Sequence, residues 1–126
     1  MTDLDYFERT LDDKNRLTIP AEIRPEFEGG KVVITRGFRN YLHLYSKVVW
    51  EKQMEPALRG SILDEQTADL NVKFRTGKSA SKMDTKQGRI TLEQHLLEYA
   101  GITKGVVAVR AGDYWRLSPQ RTGDSQ

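Results

Sequence analysis

The chain has no cysteine, which removes disulfide staples, thiolate metal sites and cysteine nucleophiles together. Histidine is nearly as scarce. His43 and His95 stand alone, neither with an acid, a nucleophile or a further metal ligand at a recognisable spacing. Both read as surface or half-buried side chains. Gly29-Gly30 and Gly88 build no phosphate-binding glycine fingerprint. Asp12 and Asp13 are neighbours in a polar turn, where adjacent carboxylates do not converge on one substrate. With no catalytic set, no metal ligands and no cofactor motif, an enzyme is not expected. No apolar run nears the roughly 20 residues of a membrane-spanning helix. The acidic opening Met1-Thr2-Asp3-Leu4-Asp5 lacks the basic-then-apolar order of a secretory leader. The expectation is a cytoplasmic protein without a membrane partner.

The chain is 126 residues long, 30% charged and 37% apolar, a globular composition. Half of that length would be marginally stable alone, because so short a chain buries too little surface. Any two halves should therefore pack together or onto neighbouring chains. The net charge of +2 says little, but its distribution says more. Residues 1–60 carry ten basic and ten acidic side chains. Within 73–89 stand Lys73, Arg75, Lys78, Lys82, Lys86 and Arg89 against the single acid Asp84. That is a focused positive field of the kind that attracts phosphates.

Two halves are indeed legible. Shifted by 73 positions, Asn15-Arg16-Leu17-Thr18-Ile19 falls on Gly88-Arg89-Ile90-Thr91-Leu92. At the same shift Asn40-Tyr41-Leu42-His43-Leu44 falls on Asp113-Tyr114-Trp115-Arg116-Leu117. Val32-Val33 meets Val106-Val107 after a one-residue slip. Each copy reads as two hairpins around a short helix. Tyr6–Leu11 and Arg16–Ile19 flank a polar turn at Asp12–Asn15, and Pro20 suits the first position of a helix that Pro25 keeps short. Val32–Thr35 and Tyr41–Tyr45 make a second hairpin, as Val106–Arg110 and Tyr114–Leu117 do in the other copy. Thr91 and Gln94 have the spacing of a capping box for a helix over 92–100, and Gly101 suits its left-handed end. Between the copies, Trp50, Met54 and Leu58 form one helical stripe in which Pro56 marks a kink or stop. Leu63, Thr67, Leu70 and Phe74 form another. Such stripes face a core or a subunit contact. The polar tail over 121–126 is expected to be disordered.

The two turns carry the functional signal. Lys14, Asn15 and Arg16 close the first, and Lys86, Gln87, Gly88 and Arg89 close the second. Asn and Gly share one position, and both tolerate a left-handed backbone. Such a turn projects Lys and Arg at its edge while its acid bonds local N–H groups. A two-stranded ribbon fits the major groove, where Arg grips guanine or phosphate with two donors. One such turn would read as ordinary surface; two at matching places point to double-stranded DNA.

These turns, with Pro20-Ala21-Glu22-Ile23-Arg24, Tyr41-Leu42-His43-Leu44-Tyr45, Trp50 and Tyr99-Ala100-Gly101-Ile102-Thr103-Lys104, resemble the MraZ family of bacterial transcriptional regulators over about residues 6–118. Asn15 replaces the family's turn glycine, and the Met-Phe-x-Gly opening is absent. Asp84 precedes Arg89 by five residues where Asp12 precedes Arg16 by four. Either the second turn is one residue longer, or Thr85 takes the acid's place. The resemblance implies a mainly β fold with short helices (β+α), two AbrB-like swapped-hairpin units sharing one β-barrel core. The units would span 5–47 and 77–120, with a helical connector over 48–76. It further implies a nucleoid-associated homo-oligomer, ring-shaped, whose turns bind direct repeats in the promoter of the division and cell-wall gene cluster. An AbrB-like antitoxin or a purely structural oligomer is the alternative; the former usually has one unit and a long acidic tail, unlike this sequence.

Overall fold

The computed structural model describes residues 4–60 and 63–121. Its strands are β1 (Tyr6–Thr10), β2 (Arg16–Thr18), β3 (Lys31–Arg36), β4 (Leu42–Ser46), β5 (Ser79–Lys82), β6 (Arg89–Thr91), β7 (Gly105–Arg110) and β8 (Trp115–Pro119). Six of them form one sheet in the order β1-β7-β8-β4-β3-β5, and β2 and β6 make a separate two-stranded ribbon. Exchanging each strand for its counterpart in the other half returns the same order read backwards. The sheet thus has a pseudo-twofold axis between β4 and β8, through the facing pair His43 and Arg116.

Each half lends its first strands to the other. β1 pairs with β7, β5 pairs with β3, and β2 and β6 pair with one another, all antiparallel. The first hairpin expected in each copy is therefore an exchanged arm: its two strands flank the turn but take their ladder partners from the other half. The second hairpins, β3–β4 and β7–β8, pair within their own copies. The mainly β class is as expected, but the sheet is not a closed barrel. Closure requires the two edge strands to pair. Here β1 and β5 lie at opposite ends of the sheet, and β2 and β6 have left it for their own ribbon.

Alternation along the strands makes two cores. Val32, Ile34, Leu42 and Leu44 point inward to a large cluster with Leu17, Ile19, Ile90, Leu92 and Trp115. Val33 and Tyr45 point to the other face, beneath Trp50, Leu58 and Phe74. The cover on that face is helical: α1 (Lys47–Val49), a π-helical turn (Trp50–Met54), α2 (Glu55–Leu58) and α3 (Glu65–Arg75). Pro56 does not end the first helix, which continues to Leu58. It enters at the start of α2, just after the π turn, a common place for a widened turn to absorb a residue without an N–H. Of the second stripe, Thr67, Leu70 and Phe74 face inward as expected. Leu63 instead precedes the N-cap Asp64 and is 90% exposed.

Two helix starts differ from expectation. Pro20 is the N-cap, not the first residue, of a 3-10 turn over Ala21–Glu26. Helix α4 (Gln94–Ala100) begins after Glu93 with no side-chain cap, because Thr91 is held extended opposite Arg16 in the ribbon. Gly101 does end α4 in the left-handed conformation, with Ile102 N–H donating to Leu97 O at 2.9 Å. Of the acidic opening and the polar tail, residues 1–3 and 122–126 lie outside the described residues. Among the described residues no helix is long and apolar enough to cross a membrane.

Candidate nucleic-acid interface

Each turn is folded around its aspartate. In the first, Asp12 Oδ1 accepts the backbone N–H groups of Lys14 (2.9 Å) and Arg16 (2.8 Å), and Oδ2 accepts Arg16 Nε at 2.7 Å. In the second, Asp84 Oδ1 accepts the N–H groups of Lys86 (3.1 Å) and Gln87 (2.7 Å). Its Oδ2 accepts both Arg89 N–H and Arg89 Nε at 3.0 Å. The second turn is thus one residue longer, and Asp84, not Thr85, is the counterpart of Asp12. These donors set the carboxylates' acidity. The Gln87 N–H and then the Arg89 side chain hold Asp84 well below the ordinary carboxylate range. Partial desolvation pushes Asp12 upward, but the Arg16 and Lys14 donors outweigh it and hold Asp12 low.

The left-handed positions are those expected, with φ of 59° at Asn15 and 67° at Gly88. Both turns then lock to the opposite arm by matching bonds. Ile19 N–H donates to Gly88 O at 2.8 Å, and its counterpart Leu92 N–H donates to Asn15 O at 2.9 Å. Because the ribbon is antiparallel, the turns enter it from opposite ends, yet across its three rungs they stay close enough for Arg89 Nη1 to lie 3.8 Å from Asp12 Oδ2. Lys14, Lys86 and Gln87 are exposed at the tips, and Arg16 and Arg89 are partly covered. Because the aspartate takes Nε of each arginine, the guanidinium is oriented, and apart from the long ion pair of Arg89 Nη1 with Asp12 its Nη groups have no hydrogen-bond partner among the described residues.

Two side chains that sequence reasoning missed brace this pair. Arg24, from the 3-10 turn of the first half, donates from Nε to Ile19 O (2.8 Å) and from Nη2 to Gln87 O (2.9 Å). Gln94, at the start of α4, accepts from Asn15 Nδ2 at 3.2 Å. Each half thereby holds the other half's turn. No local signal marks either residue, since the contacts exist because of the arm exchange. His43 is also corrected. Instead of lying at the surface or half-buried, it is 1% exposed beneath the helices, with Nδ1 2.7 Å from Tyr45 Oη and Nε2 unpartnered. Burial, and secondly the charge of Arg116, lowers its pKa to about 4. His95 Nε2 lies 2.9 Å from Gly77 O.

The sequence matches the family model described as "MraZ protein, putative antitoxin-like" over residues 5–72. A Roseiflexus castenholzii protein named transcriptional regulator MraZ is 39% identical over 119 residues, 94% of this chain and 82% of that one. One of the same name from Moorella thermoacetica is 41% identical, over 82% of this chain and 71% of its own. A third, from Clavibacter michiganensis, is 36% identical over 81% and 70% respectively. These are regulators' names and not enzymes', and with relatives this similar over this much of its length, the chain belongs to the MraZ family.

Proposed function

We propose that this protein is a sequence-specific DNA-binding transcriptional regulator whose two Asp-braced turns read short direct repeats in a promoter. In this reading, 5–47 and 77–120 are the two AbrB-like units and 48–76 the helical connector. Arg16 and Arg89 supply base readout, and Lys14 and Lys86 attract phosphate. Asn15, Gln87 and Gly88 shape the turn tips. The observation that supports it best is the pairing itself: two arginines, each aimed by an aspartate through Nε, two rungs apart on one short antiparallel ribbon. A surface turn without a partner has no need of such bracing, whereas a reading head gains from arriving preorganised.

One turn pair touches few phosphates, so useful affinity calls for several subunits on repeated sites at once. A homo-oligomer, ring-shaped and bound to the nucleoid in the cytoplasm, meets that need. The relatives' shared name favours a promoter target, and the division and cell-wall gene cluster is the site this reading assigns. The antitoxin-like wording of the family description supports a second reading, in which the chain captures a protein.

The test is duplex binding by Arg16→Ala and Arg89→Ala variants, first confirmed to fold and assemble, on sites selected from random DNA. Loss of one bidentate arginine–guanine pair should cost roughly 1–3 kcal/mol per engaged site. Unchanged affinity in both variants would remove the turns as reading heads. Absence of any salt-sensitive DNA binding by the wild type would favour the protein-capture reading.

A further inference from the structure

Three lysines lie together at the end of the sheet where β5 runs into the second turn. Lys31 on β3 lies directly opposite Lys82 on β5, and Val32 lies opposite Ser46, the last residue of β4, so that Lys47, which opens α1, lines the same groove. Like charges directly opposite on antiparallel strands are destabilising. Nothing in the fold offsets this pair: among the described residues neither Lys31 nor Lys82 has an ion pair or side-chain hydrogen bond, and both are exposed. They line a groove of about 750 Å³ with Lys47, Lys78 and Arg59. Its two acids are largely occupied. Glu55 is held by Arg75 at 2.8 Å, and Glu51 lies 3.8 Å from Lys47. The groove is therefore cationic, with a floor of Val33, Ala80 and Trp50.

The cluster adjoins one reading turn and not the other. Lys82 ends β5, and the next residue, Met83, bonds to Gly30 O at 2.7 Å immediately before Asp84 opens the second turn. Beside the first turn, the counterparts of Lys31, Lys82 and Lys47 are Gly105, Thr10 and Gln120. The pair Thr10–Gly105 occupies the register of Lys82–Lys31. Lys104, on that flank, shares its cleft with Asp12 and Asp13. A pseudo-symmetric molecule thus carries a one-sided charge.

We propose that Lys31, Lys47 and Lys82 form a phosphate-binding cluster that extends the second turn's contact along one flank of the bound repeat, so that each protomer holds its DNA in a single polarity. This rests on the reading of the turns as the DNA contact. A cluster of ammonium groups along one groove suits a phosphodiester backbone, which repeats its charge along its length and asks for point charges more than for a planar fork. Direct repeats, unlike palindromes, need such a polarity from each subunit.

The experiment uses the full chain, a repeat-bearing duplex selected from random DNA and a random-sequence duplex of equal length. Lys31→Gln, Lys82→Gln and the double variant are titrated across a salt series. Each lost phosphate contact should lower the slope of log affinity against log salt by about 0.9, equally on both duplexes. The preference between duplexes should stay as in wild type. Phosphate-ethylation interference should find essential phosphates on one side of each repeat, lost in the double variant. Folding is not at risk, because the substitutions remove a repulsion, and thermal midpoints should hold or rise. An unchanged slope, or interference equal on both sides, overturns the cluster while the turns stand, provided Arg89→Ala still weakens binding. A changed preference between duplexes also overturns it, since the lysines would then be reading bases. If wild type binds neither duplex in a salt-dependent way, the DNA reading itself fails and the cluster fails with it.

Discussion

Arg24 occupies the space that a β-carbon on residue 88 would need. The guanidinium lies against the Cα of Gly88, and any side chain there would overlap Nε and Cζ. Gly88 is therefore required twice, by its φ of 67° and by this close approach. Its counterpart Asn15 meets the first requirement alone, and an asparagine suffices there.

A difference in cost follows. Ala at either position bears the left-handed penalty of about 1–2 kcal/mol, but Gly88→Ala must also displace Arg24 and its bonds to Ile19 O and Gln87 O. Gly88→Ala should lower stability more than Asn15→Ala does, and the excess should vanish when Arg24 is also Ala. Denaturant midpoints of the single and double variants measure this. Equal losses at the two positions would mean that Arg24 yields freely.

How far the sequence reveals these features depends on how local each one is. The turns were legible because a turn is a local device: an aspartate, a residue tolerant of positive φ and an arginine fall within six positions. The inward and outward faces of β3 and β4 follow from alternation alone. The repeat alone does not give the partners of β1 and β5, because it shows that two arms are alike without showing that they change places; only the family resemblance implied a swap. The open sheet, the brace from Arg24 and the uncapped start of α4 all follow from that exchange. His43 was misplaced for another reason. Its own strand gives no hint that helices from later in the chain will cover it.

Burial of His43 makes stability depend on pH in a defined window. Its pKa falls from 6.5 to about 4 in the folded protein, so the unfolded chain takes up a proton that the fold resists. The stabilisation is fully present above about pH 6.5 and is lost as pH falls through 4, by on the order of 3 kcal/mol. Aromatic rings crowd it: Tyr114 at 4.5 Å, Phe38 at 5.1 Å and Phe74 at 5.5 Å, centroid to centroid. His43→Phe keeps that packing and removes the unpartnered Nε2. The variant should lose much of the stability change between pH 6.5 and 4 in urea titrations. An unaltered pH profile would locate the acid sensitivity elsewhere.

A second acid-sensitive contact lies lower. Glu55 accepts Arg75 through both carboxylate oxygens, at 2.8 and 3.1 Å, and accepts Trp50 Nε1 at 3.0 Å. Arg75 above all lowers its pKa from 4.5 to about 2. That contribution is present above pH 4.5 and disappears as pH falls through 2. Because the pair is partly exposed, it should be worth no more than about 1 kcal/mol. Glu55→Gln should leave a smaller stability loss between pH 4.5 and 2, with an altered Trp50 emission at neutral pH. If emission is unchanged, the indole is not held by this carboxylate in solution.

If the second turn reads DNA, Arg24 is a positioning residue for it, and its effect should pass through Arg89. Arg24 grips Gln87 O, while Ile19 N–H, on the residue whose carbonyl it also grips, donates to Gly88 O. Removing the guanidinium frees the backbone that sets where Arg89 leaves the turn. Arg24→Ala should therefore weaken binding to a selected duplex by about 1 kcal/mol or more, the scale of a lost charge-assisted bond. In an Arg89→Ala background the same substitution should have little further effect, because the head it positions is gone. In an Arg16→Ala background the two losses should add, since Arg16 stands on the other turn. Amide exchange over 84–88 in the free protein should quicken in Arg24→Ala, a readout that needs no DNA. Additive losses with Arg89→Ala would instead make Arg24 a DNA contact in its own right, and unchanged exchange would deny it the brace.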